Sequence, residues 1–146
     1  MQMDIEKYII TGRYEYAKAI YEQFGWKEDK VAKDFFFNLA YDTGSICIYN
    51  FVVYMINTTQ KTFWMKVAKE IMEGALCHIE GGYSVALFYA RELLKRERSV
   101  ENLQAIIAFY EIPEQLIDEE ELADLVEEIL EKDPFNKIAL RYRENK

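Results

Sequence analysis

Residues 118–132 read Asp118-Glu119-Glu120-Glu121-Leu122-Ala123-Asp124-Leu125-Val126-Glu127-Glu128-Ile129-Leu130-Glu131-Lys132. Leu122, Leu125, Val126, Ile129 and Leu130 recur at i, i+3, i+4, i+7 and i+8, the stripe of an α-helix buried along one side. Asp118 precedes Glu121 at the spacing of a capping box, which sets the helix start. Glu120, Asp124, Glu127 and Glu131 share the opposite side, flanked by Glu119 and Glu128, because a turn takes 3.6 residues. Like charges at i, i+4 each cost about 0.2–0.5 kcal/mol. The dipole favours acids in the first turn, which accounts for Glu119 to Glu121 but not for Asp124 to Glu131.

The imbalance is local. Residues 1–99 hold 13 acidic and 13 basic side chains, whereas residues 100–146 hold 13 and 5, so the net charge of −8 belongs to the last third. Between Glu111 and Asp133 eleven carboxylates stand against Lys132 alone. Phosphate binding draws on Lys and Arg, so this balance speaks against nucleic acid and for a basic protein partner. The other readings of the cluster are a solvated surface and internal pairing with Lys95, Arg96 and Arg98.

Outward from this helix the helical period persists. It predicts elements over Gly12–Gly25, Glu28–Tyr41, Gln60–Ile79, Tyr83–Glu97 and Ser99–Tyr110, with Gly25 and Gly81-Gly82 as stops and Ser45 and Ser99 as caps. Asp133-Pro134 reads as cap and first residue of a last helix to about Glu144. Ser45–Asn57 suits a strand or a buried helix; no second strand of similar quality exists to pair with it, which favours the helix. Six glycines and two prolines are too few for a many-stranded fold. The expectation is all-α: one domain over 1–146, about eight helices in antiparallel pairs, stacked as hairpins or packed as a compact bundle.

The run Ile129 to Leu140 resembles the junction between two tetratricopeptide (TPR) repeats. Asp133, Pro134 and Asn136 match the family's turn, and Ala139 falls where its next helix carries a small residue. The preceding pair departs from the pattern, with Tyr110, Leu122 and Ile129 at positions the family keeps small. The resemblance implies a helical-hairpin stack and a peptide-holding adaptor. The run Ala108 to Glu114 followed by Asp133-Pro134 is also similar to small bacterial helical immunity proteins. That likeness implies a chain that binds and blocks one toxin domain without chemistry of its own.

Other constellations are weaker. Phe35-Phe36-Phe37 and Phe63-Trp64 cannot all face one side of a helix, since neighbours sit about 100° apart. Trp26, Phe37 and Phe63 are therefore either partly exposed contacts in an aromatic groove or buried against a neighbouring pair. Cys77-His78 diverge on a helix and form no nucleophile pair. One histidine and two distant cysteines do not make a zinc site, and no nucleotide fingerprint is present. No cofactor, no metal and no catalysis are expected; besides the adaptor, the remaining alternative is a helical-bundle enzyme using carboxylates and tyrosines in an interior cavity. The apolar run Ile46–Ile56 is short of the about 20 residues of a membrane span. Met1 to Lys7 lacks a secretory layout, so the expected place is the cytoplasm, with Cys47 and Cys77 reduced.

Overall fold

The computed structural model describes residues 2–144, with the side chains of residues 2 and 3 outside the description. All regular structure among the described residues is helical: α1 (Gln2–Ile10), α2 (Tyr14–Phe24), α3 (Asp29–Thr43), α4 (Ile46–Thr59), α5 (Thr62–Glu70), α6 (Gly82–Arg96), α7 (Val100–Ile107), α8 (Glu119–Lys132) and α9 (Lys137–Glu144). A π turn over Ile71–Ala75 follows α5, and a 3-10 turn over Ala108–Glu111 follows α7. The chain divides into two compact units, residues 1–89 and 90–146, with the boundary inside α6.

In residues 1–89, α4 is the hub. It packs against α1, α2, α3 and α5. Ile48, Phe51, Val52 and Met55 are fully buried, which a helix apolar on nearly every side requires. The stretch 45–57 is thus a buried helix, started by Ser45, whose Oγ accepts from Cys47 N at 3.1 Å. Gly25 ends α2 at φ +61°, a left-handed conformation that glycine adopts without penalty. The helix α1 lies outside the expected set; Ile5 and Ile9 are its fully buried side chains.

Two expectations fail at the end of α5. The helix read over 60–79 is α-helical only to Glu70 and then widens into the π turn. The Phe37 ring lies against this turn. A Cβ on Gly74 would lie 2.7 Å from Phe37 Cε2, so the wider turn and the bare glycine together admit the ring. Gly81-Gly82 consequently does not stop that helix. Gly82 is the first residue of α6, and a Cβ there would sit 3.1 Å from the Leu76 carbonyl oxygen. His78 lies beyond the helical run and is exposed.

In residues 90–146, α8 packs on α7 and on α9. Ser99 caps α7 through a 3.1 Å bond from Asn102 N. Pro134 is not the first residue of the last helix, as the Asp-Pro pattern suggests. Asp133 instead closes a turn, accepting from Phe135 N at 3.3 Å. Asn136 Oδ1 caps α9 by accepting from Ala139 N at 3.0 Å, and Asn136 Nδ2 donates to Gln104 Oε1 at 2.6 Å. Ala139 is fully buried.

Candidate functional site

The acidic helix α8 begins as its sequence dictates. Asp118 Oδ1 accepts from Glu121 N at 2.7 Å, satisfying one of the orphan donors of the first turn. Leu122, Leu125, Val126 and Ile129 are buried. That burial fixes the rotation of the helix and so decides where each carboxylate points.

Two carboxylates on one flank are neutralised within the unit. Arg91 Nη2 donates to both oxygens of Glu121, at 2.8 and 3.0 Å. Arg98 grips Glu128 in a two-pronged pair, Nε to Oε2 at 2.8 Å and Nη2 to Oε1 at 2.5 Å. The Arg98 bonds hold the Glu128 carboxyl below the usual carboxylate range. Lys95 and Arg96 do not reach α8. Both turn back to Glu92 on their own helix, at 2.8 and 4.0 Å. Of the three cations considered from sequence, Arg98 alone pairs with the acidic helix, and Arg91 joins it.

The other flank is open. Glu119, Glu120, Asp124, Glu127 and Glu131 make no ion pair among the described residues, and all five are exposed. At about 100° per residue, Glu120, Glu127 and Glu131 lie within one narrow sector, turned away from Glu121 and Glu128. Asp124 borders both sides.

Two grooves run beside this open flank. The first, of about 670 Å³, is lined by Tyr110, Tyr142, Leu122 and Ala123, with carboxylates from Glu111, Glu119 and Glu120. The second, of about 440 Å³, is lined by Ala123, Val126 and Leu130 together with Glu127, Glu131 and Arg143. Tyr110 and Tyr142 meet edge to face at 5.9 Å. Tyr142 Oη donates to Glu111 Oε1 at 2.7 Å, which fixes the ring. Burial, and then the bond to Glu111, push the Tyr142 hydroxyl up.

The aromatic residues singled out from sequence sit elsewhere. Trp26, Phe37 and Phe63 are half-buried in residues 1–89. Trp26 packs against Phe24 at 4.7 Å and Phe35 at 5.2 Å, and Phe63 meets Trp64 edge-on at 4.9 Å. Phe37 fills the space above Gly74. The rings that line the grooves beside α8 are Tyr110 and Tyr142. Their only sequence signal is that Tyr110 closes the α7 stripe just before the acidic run.

Elsewhere, Tyr49 and Tyr89 share a hydroxyl contact of 3.2 Å, and burial raises the Tyr49 hydroxyl. Buried side chains among the described residues carry no charge. No group of three or more His, Cys, Asp or Glu side chains is placed to hold a metal ion among the described residues. None of the described helices is long and apolar enough to cross a membrane. No family model, curated protein or solved structure matches this chain.

Proposed function

We propose that this chain is a non-catalytic binding module that covers a basic protein surface with the open flank of α8, in the manner of an immunity-type inhibitor that occludes its toxin. The observation that supports this reading is the division of the acidic helix. Glu121 and Glu128 are matched by Arg91 and Arg98, while Glu119, Glu120, Glu127 and Glu131 line grooves with no cation within ion-pair distance among the described residues. Repulsion along this flank costs stability in the free chain, and a cationic partner relieves it. Aligned carboxylates steer encounter and give guanidinium groups paired acceptors.

The test is a charge reversal. Glu120→Lys, Asp124→Lys and Glu127→Lys together leave the buried stripe and the Asp118 cap intact, so circular dichroism of the triple variant matches the parent. Binding is then measured against basic proteins encoded by neighbouring genes, by co-purification and by protection of cells expressing them. The parent forms a stoichiometric complex and protects; the triple variant does neither. Undiminished binding and protection by that variant refutes the surface.

A further inference from the structure

The first groove carries more than negative charge. The rings of Tyr110 and Tyr142, the apolar groups of Leu122 and Ala123, and carboxylates of Glu111, Glu119 and Glu120 converge on one volume of about 670 Å³. That lies within the range of side-chain and small-ligand pockets. Only Glu111 spends an acceptor internally, on the Tyr142 hydroxyl. The remaining lining carboxylate oxygens have no hydrogen-bond donor among the described residues. A site lined by aromatic rings and carboxylates favours a flat, weakly hydrated cation. The unit already holds two examples of guanidinium on α8 carboxylates, Arg91 and Arg98. A third guanidinium, that of Arg141, lies 5.4 Å from the centre of the Tyr142 ring. Arg141 is not part of the groove lining.

We infer that this groove is the anchor site for a single arginine side chain of the basic partner, stacked on Tyr142 and bonded to Glu119 and Glu120. The inference rests on the proposed binding function and narrows it: the open flank supplies long-range attraction, and the groove supplies the contact that sets the complex lifetime. A few buried anchors of this kind dominate protein interfaces, and arginine is prominent among them.

Amide-resolved NMR titration of the full chain tests it. The probe is an N-acetylated, C-amidated Gly-Arg-Gly peptide, with norleucine in place of arginine as control. Saturable shifts are expected at 110–111, 119–123 and 142 with arginine and none with norleucine. Tyr142→Leu weakens the interaction about two- to fivefold. Tyr142→Phe, which keeps the ring, stays within about twofold of the parent. Glu119→Gln with Glu120→Gln provides a second variant that spares the tyrosine packing and is also expected to bind more weakly, by about fivefold or more.

Shifts as large at Glu127 and Glu131 as at Glu119 and Glu120, or undiminished binding by Tyr142→Leu, overturn the anchor while leaving the acidic surface standing. A hexa-arginine peptide that binds nowhere on α8 at low salt overturns both.

Discussion

Glu127→Lys is expected to stabilise the protein while weakening the proposed binding to a basic partner. Glu127 is exposed and makes no ion pair among the described residues. Its helical neighbours are Asp124 at i−3 and Glu131 at i+4, both acidic; Ala123 and Leu130 are neutral. Each like-charge pair costs about 0.2–0.5 kcal/mol, and the matching opposite-charge pair gains a similar amount. Two pairs change sign together. Arg143, which lines the same groove, opposes part of the gain, which leaves about 0.5–1 kcal/mol. For a chain of this size that corresponds to a Tm rise of roughly 2 °C. Both tryptophans, Trp26 and Trp64, lie in residues 1–89, so their fluorescence is the wrong probe for α8. Amide hydrogen exchange at Val126 and Ile129 reads the element directly, and far-UV dichroism gives the whole chain. The gain belongs to low ionic strength and fades near 1 M salt, where the Debye length is about 3 Å. A destabilised variant, or a gain that ignores salt, refutes the account of Glu127 as an unmatched charge.

Two further outcomes follow from packing and pairing. Gly74→Ala places a methyl group 2.7 Å from Phe37 Cε2; overpacking costs about 1–3 kcal/mol, offset in part by alanine's advantage of about 0.5–1 kcal/mol over glycine in a helix. Tryptophan fluorescence in urea reads the net loss of about 1 kcal/mol, and Phe37→Leu relieves it, so additive effects in the double mutant argue against the contact. Arg98→Met removes the partner that lowers the Glu128 pKa. A carboxyl held below its unfolded value adds stability above that value and loses it as pH falls through the folded one. The variant therefore trails the parent by at most about 1 kcal/mol at neutral pH, because the Arg98 side chain is 55% exposed. The gap closes as pH falls through the lowered folded-state pKa of Glu128; a gap that acidification leaves unchanged contradicts the pairing.

Much of the acidic helix was legible in the residues. The Asp118 cap, the Leu122–Ile129 stripe and the shared side of the carboxylates are local properties, set by a 3.6-residue period. The helical state of 45–57 was legible by elimination, since a lone strand has nothing to pair with. The helix α1 was not, because Ile5 and Ile9 alone make too thin a stripe over nine residues. The π turn meets the Phe37 ring at Gly74, a contact between residues far apart in sequence. At the last turn Asp133 and Asn136 both have capping side chains; Asn136 caps α9 and is held by Gln104 besides, a long-range contact that no local spacing encodes. Pairing of Glu128 with Arg98 was one of three readings of the acidic cluster. Charge counting alone could not separate Arg98 from Lys95 and Arg96, whose attraction to Glu92 is a local helical matter. The tyrosine-lined groove needed α9 to bring Tyr142 beside Tyr110, and no spacing encodes that.

The arginines on one side of α8 give the helix a transverse polarity as well as an axial one. A cationic surface approaching from the Arg91 and Arg98 side meets fixed positive groups already in possession of their acceptors. The same surface, rolled by about a quarter turn around the helix, meets bare carboxylates. Under the proposed binding the helix would behave like a keyed shaft: a partner could meet it at any angle, but only one angular setting would be held, with the two guanidinium groups as the stop.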